Sequence, residues 1–365
     1  MYLNFKTNIR KPLNNKFFAN QLIKWYEYYH RDLPWRQTRN PYYIWLSEVI
    51  LQQTRVAQGL PYYERFVNTY PTVFDLANAA EQEVIRLWQG LGYYSRARNL
   101  HQTAKYIAGE LNGVFPPNYA GLLRLKGIGP YTAAAIASFA YDEPVAVVDG
   151  NVYRVLARVF GIDKDITGGE GQRQFSKLAS ELISREHPAT YNQAIMEFGA
   201  VHCTPSAPDC LLCPLQQECL AYATGRIHLL PVKDKKTKVR ERFFNYFVIV
   251  QNGRIAMRQR TAKDIWHKLY DFYLTETESN VQSIDEFSDN QFLTSIFSQT
   301  ILTPPSRIFT YILSHQRIQA QFWMLEASPE TVLNLPSDLT FFNEDEIENV
   351  PKPVLITSYW KEHFF

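Results

Sequence analysis

Residues 122–136 read LLRLKGIGPYTAAAI. A short apolar-periodic segment runs into Gly127 and Gly129, and a segment of small residues follows. Two glycines two apart allow a tight hairpin, with positive φ available, between two helices. The amides of such a hairpin, at the start of the second helix, can hold a backbone phosphate without reading base sequence. The spacing therefore predicts a helix-hairpin-helix over about 119–140, set in a mainly helical region. The plainer alternative is a helical turn whose alanines serve close packing alone.

Upstream, residues 41–56 read PYYIWLSEVILQQTRV. Asn40 suits an N-cap and Pro41 a first turn. Glu48 has Ile44, Trp45, Leu51 and Gln52 one turn to either side. A carboxyl on such a face loses solvation, which raises its pKa toward the range of a general acid. The competing reading puts Glu48 at the edge of the stripe, facing water. Downstream, PVAVVDGNVYRVLARVF spans 144–160, and an apolar run stops at Asp149 before a helix opens. There the amides and dipole are expected to keep Asp149 ionised, unless it is a simple cap. Two carboxyls with opposed tendencies suit cleavage of a glycosidic bond through an oxocarbenium-like transition state.

All four cysteines, Cys203, Cys210, Cys213 and Cys219, lie in one loop with spacing C-x6-C-x2-C-x5-C. The chain is long enough to bury a core without disulfides, and the loop leaves no distant partner for one. Zinc or an iron–sulfur cluster remains. Structural zinc usually takes two close pairs, whereas an unequal, wide loop better suits the longer reach of a [4Fe–4S] cube.

Composition divides the chain. Residues 241–365 carry 10 Lys+Arg against 16 Asp+Glu, net −6, and residues 1–240 carry 28 against 20, net +8. A basic first part points to a polyanion gripped mainly there, unless the difference is ordinary drift between domains. Helical periodicity covers 17–29, 45–54, 81–88, 97–112 and 152–160. The segment 232–242, VKDKKTKVRER, lacks periodicity and reads as a linker, giving domains at 1–225 and 243–365 joined by 226–242. Beyond it, FFNYFVIV at 243–250, a turn at Gln251, Asn252 and Gly253, and strand-like runs at 254–258, 307–313 and 319–325 predict an α+β domain, with a helix over 285–298. The start lacks the apolar core of a signal peptide, and no run is long enough to span a membrane.

The stretches WLSEVILQQTRV, GLGYYSRARNL, LKGIGPYTAAAI and VDGNVYRVLARV, with the cysteine loop, occur in an order and spacing that resemble the adenine DNA glycosylases of the MutY family. These belong to the endonuclease III-like superfamily of helix-hairpin-helix glycosylases, and the likeness covers most of residues 20–225. The resemblance implies a monomeric, monofunctional enzyme of base excision repair, in the bacterial cytoplasm at the nucleoid. It would remove adenine mispaired with 8-oxoguanine or guanine in double-stranded DNA, and hold one [4Fe–4S] cluster on the loop 203–219. By that likeness Glu48 would protonate N7 of the flipped adenine and Asp149 would stabilise the oxocarbenium ion, with Tyr131 and Asn151 completing the pocket. Trp35, Arg36 and Gln193 match adenine-contacting positions. Gln53 and Tyr93 match wedge residues that fill the gap left by the extruded base, with Thr54, Leu91 and Gly92 beside them. One of Tyr93 and Tyr94 is expected to be core packing. Gly127 and Gly129 would serve the phosphate hairpin, Lys126 beside them would contact phosphate or face solvent, and Arg158 matches a DNA-contacting position that could equally be a solvated helix-face arginine.

Bifunctional relatives carry a lysine nucleophile where this chain has Tyr131. The second part resembles the family's Nudix-like domain, with KDIWHKLYDF at 263–272 matching its Trp-containing segment. It lacks the carboxylate-rich box that holds Mg²⁺, so it would bind and not hydrolyse. Leu313, Ser314 and His315 stand where the family reads 8-oxoguanine through Phe-Ser-His, so Leu313 departs from the pattern. Two other readings compete: a glycosylase for thymine opposite guanine, and a catalytically silent iron–sulfur protein that senses DNA.

Overall fold

The computed structural model describes residues 14–234, 239–313 and 315–364. Helices follow one another as α1 (Asn15–Tyr29), α2 (Pro41–Ile50), α3 (Val56–Thr69), α4 (Val73–Asn78), α5 (Glu81–Trp88) and α6 (Ser95–Glu110). Then come α7 (Tyr119–Leu122), α8 (Pro130–Tyr141), α9 (Gly150–Phe160), α10 (Gly169–Leu182), α11 (Pro188–Glu197) and α12 (Leu220–Ala223). Their ends obey local rules. Asn40 Oδ1 accepts the Tyr42 N–H at 2.9 Å, and Pro41 fills the first position of α2. Helices α7 and α8 form the expected helix-hairpin-helix. Of its two glycines, Gly127 takes the left-handed conformation (φ 74°), whereas Gly129 is extended and caps α8.

The chain separates into two compact units. The first holds the described chain up to Val56, Tyr70–Phe74 and the described residues from Thr103 to the linker. Part of its core is built where α1, α9, α10 and α11 meet, around Phe18, Leu22, Val155, Leu156, Phe175, Tyr191 and Ile195. Leu215 and Cys219 join that cluster, which roots the cysteine loop in it.

The second unit contains the sheet, and also Ala57–Thr69 and Asp75–Gln102. Strands β1 (Arg240–Gln251), β2 (Arg254–Gln259), β3 (Tyr270–Asp271) and β4 (Tyr273–Thr277) precede α13 (Gln291–Phe297). Strands β5 (Thr300–Leu302), β6 (Phe309–Ile312), β7 (Gln316–Ala327) and β8 (Thr340–Phe342) precede α14 (Glu344–Asn349) and α15 (Val354–His363). The long central pair, β1 and β7, is parallel from Arg240 opposite Gln316 to Gln251 opposite Ala327, and the other pairings are antiparallel. Such a mixed sheet buries β1 on both faces, which explains its unbroken apolar run. One face packs Phe247, Ile249 and Trp323 against Phe287, Leu293 and Ile296. On the other, Phe322 stacks on Tyr359 of α15 at 3.9 Å and on Tyr246 at 5.2 Å. Asn252 and Gly253, both at positive φ, make the β1–β2 turn, as expected of Asn-Gly.

Two features differ from the sequence reading. Strand β1 starts at Arg240, so the last residues assigned to the linker pair with β7. Segments 57–69 and 75–102, assigned to the helical domain by chain order, pack with the sheet unit. Lys268 pairs with Glu81 at 2.7 Å, and Arg98 Nη1 donates to the His267 carbonyl at 2.9 Å. Such long-range contacts leave no periodic signature in sequence.

Trp323→Ala should cost roughly 3–5 kcal/mol, because it empties a packed site and strips the Nε1 donor from buried Asn245. Chemical unfolding followed by circular dichroism measures the loss; a change below about 1 kcal/mol would contradict this account of the core.

Candidate active site

A cavity of about 760 Å³ opens in the first unit, within the range of small-molecule sites. It is walled by the C-terminal half of α2, the hairpin, the start of α9 and the end of α11. The expected Trp35, Arg36, Glu48, Gln53, Thr54, Gly127, Gly129, Tyr131, Asp149, Asn151 and Gln193 all line it.

Glu48 is 8% exposed. Helix α2 is buried almost all round, from Tyr42 and Ile44 through Ile50, so Glu48 does not face open water. Burial pushes its carboxyl up to about 7. Tyr131 on the first turn of α8 opposes the rise by hydrogen bonding to it, the nearby Asp149 charge adds to it, and Arg36 opposes it more weakly. The Tyr131 phenol is itself raised well above its ordinary value by burial, so it stays protonated.

Asp149 caps α9. Its Oδ1 accepts the Val152 N–H at 2.7 Å and its Oδ2 accepts Asn151 Nδ2 at 2.7 Å. Position and partners match the sequence reading, but the pKa direction does not. Burial in the pocket wall raises Asp149 above its usual value, and the donors of Val152 and Asn151 with the charge of Arg154 only partly offset it. Both carboxyls are thus pushed up. Their difference lies in donor supply, generous at Asp149 and sparse at Glu48.

Sequence reasoning missed several supporting groups. Arg154, 9% exposed, donates to Asn151 Oδ1 at 2.8 Å and to the carbonyls of Gly199 at 2.5 Å and Cys203 at 2.8 Å. It fixes the Asn151 amide so that its NH₂ meets Asp149. Gly199 lies in a π-helical turn, Phe198–His202, packed so closely that a Cβ would stand 2.7 Å from that of Asn151. Glu197 is 1% exposed. Burial works to raise it, but hydrogen bonds from Arg31 at 2.7 Å and Arg36 at 2.6 Å outweigh that and hold it down to about 2. Arg36 therefore reaches the pocket tied to an anion. Gln193 Oε1 accepts the Tyr26 hydroxyl at 2.7 Å, which leaves its NH₂ as the donor on the wall. The nearest sequence signal for Arg154 and Glu197 is a charged residue on an otherwise apolar helix face.

Arg158 corrects both sequence readings. It is 1% exposed, so it is neither solvated nor presented to DNA. Its guanidinium collects the carbonyls of Thr204 (2.7 Å), Pro205 (2.9 Å), Ile227 (3.0 Å) and Leu230 (3.1 Å), and approaches Cys203 Sγ at 3.4 Å. A buried cation persists only with such a donor match. Around it, the four cysteines line one small cavity with Phe198 and His202. No disulfide joins the four cysteines. His202 Nε2 is buried with no hydrogen-bond partner among the described residues. No group of three or more His, Cys, Asp or Glu side chains among the described residues is disposed as a ready single-ion site.

The remaining expected residues lie elsewhere. Lys126 is exposed, and its carbonyl accepts the Thr103 hydroxyl at 2.6 Å. Gln53, already placed on the cavity wall, is exposed and takes a positive φ of 55°. Leu91, Gly92 and Tyr93 belong to the second unit, where Leu91 is buried at 6%, Tyr94 is the core tyrosine at 3%, and Tyr93 is 40% exposed. Tyr93 also sits at positive φ, 49°. His315 is exposed between β6 and β7, and its carbonyl accepts Arg240 N–H at 3.0 Å; Ser314 lies outside the described residues. No helix among the described residues is long and apolar enough to cross a membrane.

Residues 46–181 match the family model "HhH-GPD superfamily base excision DNA repair protein", and 245–362 match "NUDIX domain". The chain is 35% identical over 257 residues to an adenine DNA glycosylase of Buchnera aphidicola subsp. Baizongia pistaciae, covering 70% of this chain and 73% of that protein. It is 45% identical over 226 residues to the Rattus norvegicus adenine DNA glycosylase, covering 59% of this chain and 44% of that one. Among solved structures, a thermostable thymine-DNA glycosylase aligns with TM-score 0.53 and 28% identity, over 57% of this chain and 97% of its own. An endonuclease III–DNA complex aligns with TM-score 0.50 and 24% identity, over 59% and 99%, a likeness of fold.

Glu48 has a stability signature. Its folded pKa of about 7 lies above its ordinary 4.5, so the folded state binds the extra proton between those values. Stability attributable to this group therefore falls as pH rises through that window. Glu48→Gln should gain on the unaltered protein from pH 4.5 to 7 and keep its advantage above; parallel melting curves across that range would refute it. Arg158→Met should lower the melting temperature by several degrees by leaving buried carbonyls unpaired, and an unchanged melt would return Arg158 to a surface role.

Proposed function

The chain belongs to the adenine DNA glycosylase family, and from that membership and its pocket we propose that it excises adenine mispaired with 8-oxoguanine or guanine. It is a DNA glycosylase of base excision repair. The reading of its mechanism rests on one observation: two carboxyls with unequal donor supply line the same pocket as the phenol and amide that hold them.

Glu48, with its pKa near neutrality, carries the proton and delivers it to N7 of an adenine swung out of the duplex. The bond between C1′ and N9 breaks and its electron pair leaves with the protonated base. Asp149, its lone pairs oriented by Val152 and Asn151, faces the positive charge that develops on the sugar. Water then adds to C1′, with retention if Asp149 first bonds there, as the family resemblance implies. Tyr131 keeps Glu48 aimed and is no substitute for a lysine nucleophile. No lysine is among the residues lining the pocket, which supports hydrolysis without strand cleavage. Trp35, Gln193 and Arg36 supply an aromatic wall, an amide donor and a cation for recognising the base.

The four cysteines would hold a [4Fe–4S] cluster, for which the orphaned His202 nitrogen and the Arg158 contact to Cys203 Sγ make a suitable lining. Bound there, it would cross-link the loop 203–219. Double-stranded DNA is the partner, gripped by the basic first part and the hairpin glycines. Ser314 and His315 are offered as the contact to the opposite base. The thymine-DNA glycosylase of similar fold shows that the fold does not select the base.

Duplexes carrying A opposite 8-oxoguanine, A opposite G and T opposite G, treated with alkali after incubation, decide the matter. Both adenine duplexes should yield abasic sites, with no strand scission before alkali. Glu48→Gln and Asp149→Asn should each slow excision by about 10²–10⁴-fold. The single-turnover rate should fall as pH rises through about 7, where Glu48 loses its proton. Excision of thymine alone, or a rate that climbs through that pH, would refute the assignment.

A further inference from the structure

Helix α5 ends in a turn, residues 89–94, whose backbone is demanding. Gly90, Gly92 and Tyr93 lie at φ +102°, +71° and +49°. At Gly90 a Cβ would stand 2.4 Å from Tyr62 Oη. Tyr93 takes a left-handed conformation that residues with bulky side chains rarely keep. The turn is nevertheless well held. Trp88 Nε1 donates to the Gly92 carbonyl at 3.0 Å, and Arg96 Nη2 donates to those of Leu91 and Gly92 at 3.2 Å. The Arg96 guanidinium lies near the rings of Trp88 (5.0 Å) and Tyr93 (5.6 Å). Leu91 and Tyr94 go inward and Tyr93 is left 40% exposed.

Gln89 begins this turn and fixes it to the end of the chain. Its carbonyl accepts the Tyr62 hydroxyl at 2.7 Å. Its side-chain Oε1 accepts the Lys352 N–H at 2.9 Å, and its Nε2 donates to Thr357 Oγ1 at 3.2 Å. Lys352 lies two residues before α15 and Thr357 in its first turn, and that segment is itself pinned. Lys352 is 4% exposed and its ammonium donates to the carbonyls of Ile347 and Val350. A glutamine suits this position because it offers an acceptor and a donor at the end of a long side chain. Asparagine is shorter and glutamate lacks the donor.

We propose that Gln89 is a positioning residue through which the C-terminal helix α15 holds the turn that presents Tyr93 to DNA. Base extrusion depends on it, and the bond-breaking step follows only through extrusion. This rests on the reading of the protein as a base-extruding glycosylase.

The test uses the full-length protein and a duplex with 2-aminopurine in place of the target adenine opposite 8-oxoguanine, since 2-aminopurine brightens when unstacked. Thr357→Val, which removes one of the two side-chain contacts of Gln89, should reduce the fluorescence rise about threefold, Gln89→Ala, which removes both, about fivefold, and the double variant no further than Gln89→Ala alone. Thr357→Ser, which keeps the hydroxyl, should restore the signal. On adenine duplexes the single-turnover rate should fall in parallel, while the midpoint of its pH profile stays with the unaltered protein. Should Gln89→Ala fail to fold, Gln89→Glu keeps length and acceptor, loses only the donor to Thr357, and should show the reduction expected of Thr357→Val. Full fluorescence in these variants, strictly additive losses, or a shifted pH midpoint would overturn the proposal. No fluorescence rise with the unaltered protein would instead overturn the base-extrusion reading beneath it.

Discussion

Burying a carboxyl costs free energy unless donors replace the lost water, and the pocket of the first unit grades that compensation across three acids. Glu197, almost wholly buried, has two guanidinium groups on it and is held down to about 2. Asp149 has the Val152 amide and the Asn151 side chain, which partly offset its burial. Glu48 has a neutral phenol and a distracted arginine, since Arg36 already bonds Glu197, and it rises to about 7. One cavity thus holds one acid pushed well down, one whose rise is partly offset, and one pushed up to about 7. The same residue types serve three purposes because their neighbours differ.

The supports of these acids reach beyond the cavity along helix α9. Its first residues carry the cap on Asp149, and one turn later Arg154 joins Asn151 to the carbonyls of Gly199 and Cys203. A turn further on, Arg158 gathers the carbonyls of the cysteine loop. Three successive turns of one helix therefore orient the acid, brace the π-helical turn and close the loop. The loop of four thiols is thereby joined through α9 to the residues around Asp149. Its geometry is mechanically continuous with that of Asp149.

What was legible in the sequence was local. Asn40 and Pro41 announced the start of α2, Asp149 announced that of α9, and Asn252 with Gly253 announced the β1–β2 turn, because each acts within four residues of itself. Glu48 on an apolar face was readable in the same way, whereas Tyr131 entered only through the family resemblance. Arg158 was not. A helix-face arginine looks alike whether it faces water or five carbonyls contributed by residues 45 to 72 positions away. Glu197 was missed for the same reason, its partners Arg31 and Arg36 lying more than 160 residues earlier. The direction of the Asp149 shift failed differently. The helix terminus was weighed correctly, but desolvation by the pocket it helps to form was not.

The division into units carries the same lesson to a larger scale. Chain order places 57–69 and 75–102 among the helices of the first part, and their amphipathic pattern agrees with that placement as well as with any other. Pattern says which face of a helix is buried and is silent about what buries it. In the fold, Glu81, Gln89 and Arg98 find their partners in Lys268, Lys352, Thr357 and His267, all contributed by the C-terminal half. The cavity with its acids belongs to one unit, and the strained turn that exposes Tyr93 belongs to the other. The sheet-bearing unit matches the NUDIX family model over 245–362. It has three polar anchors on a segment the sequence assigns to its neighbour, and holding that segment in a conformation it would not keep alone is work that requires no catalysis.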